Sequence, residues 1–431
     1  MKYSTTEPSA IVALDDFADR IMRIDQGAER ILDAVARSPD DASLHLAATF
    51  FWLFGQTPKA QDEADRYLVD VRAAQGRLNP RERAWANGLD LWHRKAFDAA
   101  ACVFEAITST WPDDLLALRA AEFLYYVLGQ QYSGPRFAAH TERLAHRHAD
   151  HPDFLAIHAF ANELCGRPFL ARAHAERAIA LRAINPWAQH ALAHVVLWEG
   201  NDATASTMLD GWLTQWPQVA RTVHCHNAWH VALMHMDRLE SERAFAVYDE
   251  HVWGKTPDYV VEQIDAIAFL WRAEMAGVVV DGARWKAIVP HIIPLCMTLF
   301  MPFTTAHYAY ALARGGDAKS VHELLRVAQR RASDGDPEAL RVWHPVGMGI
   351  VRAAAALGAG DARRAVAHFD SAMPDMTRIG GSDAQDDLFR FAYIDSLRRA
   401  GRQTDATAFL RDRLAHKQAS PLELQLLAQL R

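Results

Sequence analysis

The sequence predicts an all-α fold, a right-handed solenoid of stacked helix–turn–helix repeats. Three observations predict it: apolar residues recur at helical spacing almost everywhere, almost no segment alternates with period two, and prolines and glycines punctuate the chain at a nearly constant interval. The helical period is plain in ILDAVARS, LLALRAAEFLYYVLG, FLAIHAFANELCG and AIALRAI. Their Ala, Leu and Arg content suits the helix, because these side chains lose little rotamer freedom there.

The punctuation sets the repeat. Pro112, Pro152, Pro186 and Pro217 are separated by 40, 34 and 31 residues, and Gly129, Gly166 and Gly200 by 37 and 34. Glycine after a first helix and proline after a second, with a period near 34, is the pattern of tetratricopeptide-like repeats. One helix pair cannot bury its own apolar face, so pairs must stack. The spacing predicts one continuous solenoid over 1–431, of roughly ten or eleven helix pairs. Its N-terminal repeats occupy 1–112, a His- and Trp-rich centre 113–277 and C-terminal repeats 278–431. No Ser-, Gly- or Pro-rich linker divides it. The most apolar stretch, Ala287 to Phe303, is interrupted by Pro290, His291, Pro294 and Pro302, and reads as a buried, broken helical segment.

Composition narrows the function. A net charge of −7 without a basic run disfavours nucleic acid and anionic membranes as partners. Cys102, Cys165, Cys225 and Cys296 form no CxxC pair and read as buried thiols in a reducing compartment. The sequence starts with MKYSTTEPSA, which has no signal-peptide pattern, so the expected location is the cytoplasm. Walker and GxGxxG motifs are absent, so no organic cofactor is expected, and the absence of GxSxG disfavours a serine hydrolase elbow.

Histidine is the anomaly. Of 21 histidines, 13 lie between His140 and His251, and 8 of 13 tryptophans lie between Trp187 and Trp285. His190 and His194 stand one helical turn apart, as do His226 and His230, with Asn227 and Trp229 alongside. Counted back from Gly200, His194 and His190 lie at 6 and 10; counted back from Leu239, which takes the glycine place, His230 and His226 lie at 9 and 13. These offsets share one helical face, so stacking predicts that the pairs meet on the concave side. The same count brings His158, 8 before Gly166, and Asp265 and Arg272, 12 and 5 before Gly277, to that face. Three readings follow. The histidines are structural groups of the helix packing, line a pocket that binds or transforms a small organic molecule with a base near neutral pH, or chelate one metal through both HxxxH pairs. Neither pair carries the HExxH glutamate, so a zincin hydrolase is not supported. His140, His146, His148 and His174 read as surface or satisfied core groups. The segment Arg378 to Asp387 reads as a turn and an N-cap at Ser382.

HALAHV, CHNAWHVAL, VYDEHV, the Asp265–Arg272–Gly277 spacing and GGSDAQDDLF resemble the tetratricopeptide repeat protein 38 family, from about Asp113 to near residue 415. Three family places differ: Leu197 stands where a glutamate follows the AHV element, Thr305 where an aspartate precedes the later histidine, His307, and Asp386 where an arginine follows AQ. The resemblance extends to members that accompany toxoflavin-type azapteridine biosynthesis, where a repeat protein is thought to act as a cofactor-free oxidase. With the register count it gives catalytic roles to His190, His194, His226 and His230, and substrate contacts to Asn227, Trp229, Asp265, Arg272, His158 and His307. It implies an enzyme of secondary metabolism using O₂, with a small aromatic or heterocyclic substrate and no metal. A homodimer is left open. Two alternatives stand beside it: a non-catalytic repeat scaffold, and a metal-dependent enzyme using the same four histidines.

Overall fold

The computed structural model describes residues 2–200, 203–216, 219–415 and 417–430; Pro217 of the spaced prolines lies outside them. Among the described residues all extended regular structure is helical, in 23 α-helices, and the only β feature is an isolated bridge between Asp25 and Val219. No described helix is long and apolar enough to cross a membrane. Consecutive helices pack as neighbouring pairs, such as Ala42–Leu53 with Pro58–Ala73 and Pro152–Glu163 with Pro168–Leu181.

The chain forms two compact units. The first comprises residues 1–128, 133–188 and 218–220. Its helices start where the sequence supplies a cap: Asp41 accepts from the Ser43 and Leu44 amides, and Asn79 from the Glu82 amide, with Pro80 at the first turn. Its core is aromatic. Phe50, Trp85, Trp92 and Phe104 meet edge to face with centroids 5.0–6.5 Å apart. His140 is fully buried between Thr108 Oγ1 (2.7 Å) and the Tyr125 hydroxyl (3.0 Å), as a satisfied core histidine should be. Cys225 and Cys296 are buried as expected and Cys165 is half-buried, but Cys102 departs furthest from expectation and is exposed. It falls on the polar side of Phe97–Thr110, beside Arg136.

The second unit comprises 129–132, 189–217 and 221–431. Seven helices build its site: α1 (Pro186–Trp198, from Gln189 onward), α2 (Arg221–Asp237), α3 (Val260–Met275), α4 (Pro302–Arg314), α5 (Asp383–Arg399), α6 (Gln403–Leu414) and α7 (Pro421–Gln429). Helix α3 is central. It packs on α2, α4 and α5, while α6 packs on α5 and α7 on α2. Glu274 of α3 accepts from Trp285 Nε1 (3.0 Å), the Tyr310 hydroxyl (2.7 Å) and Arg314 (2.6 Å), while Trp271 stacks on Tyr310 at 3.7 Å. The apolar stretch is broken as the prolines require: Gly282–Ile292 contains Pro290, turns follow, and α4 starts at Pro302.

Helix ends reveal why the repeat spacing was readable. After α3, Gly277 adopts φ +85° and the Val278 amide bonds back to the Ala273 carbonyl at 2.9 Å. After α2 the same closure is made by Leu239, at φ +64°, with the Glu240 amide bonded to the His235 carbonyl at 2.9 Å. The left-handed conformation costs a residue with a Cβ about 1–2 kcal/mol. Leu239 is 45% exposed, so little packing opposes its removal. Leu239→Gly should therefore stabilise the protein by about 1 kcal/mol and raise Tm by about 1–3 °C. Leu239→Ala should not, and equal melting shifts for both variants would refute this account of the cap.

Candidate functional site

The two HxxxH pairs meet. In α1, His190 and His194 have ring centroids 4.6 Å apart; in α2, His226 and His230 are 4.9 Å apart. Across the two helices His190 lies 5.1 Å from His226 and 5.0 Å from His230, and His194 lies 4.6 Å from His230. A spacing of four residues puts both members of each pair on one face, and the facing helices close the cluster.

Two carboxylates fix it from outside. Asp265 of α3, buried at 1% exposure, accepts from His226 Nδ1 at 3.0 Å. Asp383, in the first turn of α5, accepts from His194 Nδ1 at 2.9 Å. An ionised carboxylate on Nδ1 makes that nitrogen the donor and leaves a lone pair on Nε2. His194 Nε2 lies 3.2 Å from His190 Nε2, so His190 donates in that bond. His230 is fully buried, and neither of its ring nitrogens has a hydrogen-bond partner among the described residues. Burial, reinforced by the neighbouring imidazoles and Arg272, drives its pKa well below the usual range, so it is neutral. Burial likewise raises the Asp265 carboxyl, and His226 opposes that rise. An unmet buried polar group costs about 1–3 kcal/mol, which marks His230 as a position awaiting a partner.

Ligand nitrogens of His190, His226 and His230 lie within 4.8 Å of one another, close enough to share a cation. The Asp265–His226 pair is the arrangement that commonly supports a metal-bound imidazole.

Beside the cluster lies a cavity of about 300 Å³. Its walls include His194, Leu197 and Trp198 of α1, Leu233 and Asp237 of α2, Arg272 of α3, and Asp383, Asp387, Arg390 and Phe391 of α5. Arg413 of α6 and Lys417 complete a strongly charged side. His194 belongs to both cluster and cavity, and it is 2% exposed.

The other sequence-predicted residues distribute as follows. Trp229 stacks on the His226 ring at 5.3 Å, and its own ring is 5.8 Å from the Arg272 guanidinium. Asn227 is buried on α2. His307 donates from Nδ1 to the Phe303 carbonyl (2.8 Å) amid Phe303, Phe389 and Trp271. His158 belongs to the first unit, where Nδ1 bonds Thr141 Oγ1 at 2.8 Å. Ser382 caps α5 as its sequence predicts, with a reciprocal bond from Gln385. Sequence reasoning read that segment only as a cap and so missed Asp383, the next residue. It also missed Asp237 and Arg413, which carry no motif of their own, and gave no role to Asp387 within GGSDAQDDLF. No protein-family model matches the chain.

Burial also sets a pH response. Desolvation lowers His307, His224 and His158 to about 4, and His140 to about 3. In the unfolded chain each returns to about 6.5. Between pH 6.5 and about 4 the unfolded state thus binds more protons, and stability is lost as pH falls through that window. Tm should decline steadily below about pH 6.5, and His307→Gln should lower the protons taken up on unfolding at pH 5 by about one. A Tm unchanged from pH 8 to pH 5 would contradict this.

Proposed function

We propose that this chain is an enzyme of small-molecule secondary metabolism whose reaction occurs where the histidine cluster meets the cavity. The observation that carries the reading is His194: Asp383 orients its Nδ1, its Nε2 has a lone pair, and the side chain lines the cavity. Such a pair is the arrangement of a general base. A substrate proton moves to Nε2 once His190 withdraws its hydrogen bond, and Asp383 then faces an imidazolium. Leu197, Trp198, Leu233 and Phe391 give the cavity apolar walls suited to a flat heterocycle.

The resemblance to the tetratricopeptide repeat protein 38 family specifies the reaction further, as oxidation of a reduced azapteridine of the toxoflavin type. The ring loses two electrons and two protons, and O₂ becomes H₂O₂. One proton passes to His194. The flavin-like ring gives the electrons itself, so the protein supplies position and a base without an organic cofactor. The paired helices and their repeating caps support a tetratricopeptide-type solenoid as the framework. Four unpaired cysteines support a cytoplasmic location.

A second reading has its own support. The approach of His190, His226 and His230, with Asp265 behind His226, suits a metal-dependent enzyme.

His194→Gln should reduce turnover of a reduced azapteridine by about 10²–10⁴ with little change in Tm. His146→Ala and His174→Ala should leave both unchanged. Turnover by His194→Gln at the normal rate would remove the base assignment. Exhaustively chelated protein should remain active; stoichiometric metal whose removal abolishes turnover would select the metal-dependent reading instead.

A further inference from the structure

The charged side of the cavity is not uniformly neutralised. Arg390 and Arg413 both bind Asp387, at 2.8 Å and 2.5 Å, and Arg413 and Lys417 reach Glu423 at 3.1 Å and 3.0 Å. Arg272 differs. It is 9% exposed, and no carboxylate among the described residues lies within ion-pair distance of it. One Nη donates to the Ala384 carbonyl, while Nε has no hydrogen-bond partner. Its guanidinium packs 5.8 Å from the Trp229 ring and 5.9 Å from Phe391. Desolvation lowers its pKa to about 10 against the opposing pull of Asp387 and Asp237, so it stays charged at neutral pH. A buried cation without an ion-pair contact is costly, and one that lines a cavity is placed to be compensated by an anion there.

Asp237 is the complement. It lines the same cavity and makes no ion pair of its own among the described residues. Its surface faces the cavity, and desolvation pushes its carboxyl up to about 6, against the pull of Lys417 and Arg272. The cavity thus holds one guanidinium that makes no ion-pair contact, and a carboxyl, Asp237, whose charge acts on that guanidinium.

We propose that Arg272 forms an anion subsite that receives a planar, singly charged group of the substrate, placing the rest of the ring towards His194. A guanidinium fork matches two in-plane acceptors, as in a carboxylate or a deprotonated imide edge. Because Asp237 and Asp387 line the same cavity and would oppose a second negative charge, a monoanion is favoured over a phosphate dianion. The inference rests on the proposed function only in taking the bound molecule as the substrate.

Calorimetric titration of the full chain at pH 7.5 with three probes tests it: orotate, a planar monoanion; uracil, its neutral ring; and inorganic phosphate. Orotate should bind at least about tenfold more tightly than uracil or phosphate, a difference of about 1.4 kcal/mol. Arg272→Gln should abolish that preference. If this variant does not fold by circular dichroism, Arg272→Lys, which keeps the charge but loses the fork, should weaken orotate about tenfold. His194→Gln should retain the preference for orotate whatever its turnover. Normal turnover in His194→Gln with the preference intact would therefore sink the base assignment and leave the subsite standing. Equal binding of orotate and uracil, no binding of any probe at millimolar concentration, tightest binding of phosphate, or an undiminished preference in the folded Arg272 variant would overturn the subsite.

Discussion

The site depends on four imidazoles packed against one another with the fully buried His230 held uncharged. Desolvation alone would make a protonated His230 prohibitive, and the neighbouring imidazoles add to that penalty. The structure meets both demands by keeping His230 neutral and anchoring two other rings through carboxylates at the periphery. Asp265 and Asp383 come from α3 and α5, so the cluster is positioned by four helices although its rings come from two. Moving either carboxylate would release a ring and exchange its tautomer. The central position of α3, held to α4 through Glu274, therefore bears directly on the geometry of His226.

Much of this was legible in the sequence because helical register is a local quantity. The i, i+4 spacing fixed which histidines share a face. Counting from the cap placed one pair relative to the other, and the count worked at α2 although Leu239 replaces glycine. The backbone there takes the left-handed conformation because the helix-closing bond from Glu240 to His235 demands it. The cap is a property of the chain path, and glycine is only its easiest occupant.

What escaped the sequence was long-range. Asp383 is 189 residues from His194 along the chain. It also sits in a capping segment whose local explanation was complete and left no residue unexplained. His158 and His307 satisfied the same register count or family pattern as the cluster, yet their hydrogen bonds go to Thr141 and Phe303. Register selects a face, but it does not decide which neighbours reach that face. Cys102 shows the same limit for burial, since a thiol on an amphipathic helix can fall on either side.

Helix α5 shows how environment, rather than residue type, assigns roles at the cavity. Its first turns present Asp383, Asp386 and Asp387 within five residues. Asp386 is fully buried and neither carboxyl oxygen has a hydrogen-bond partner among the described residues, so desolvation raises its pKa well above the usual range. Asp387 is subject to the same desolvation, but Arg413 and Arg390 outweigh it and hold the carboxyl well below that range. Asp383 is only partly buried and is spent on His194. One carboxyl is thus silent, one is neutralised by arginines, and one orients an imidazole. Asp387 spends its ion-pair contacts on Arg390 and Arg413 and acts on Arg272 only at longer range, so the Arg272 guanidinium keeps its fork for a ligand, which joins the ion-pair pattern of α5 and α6 to the chemistry proposed at His194.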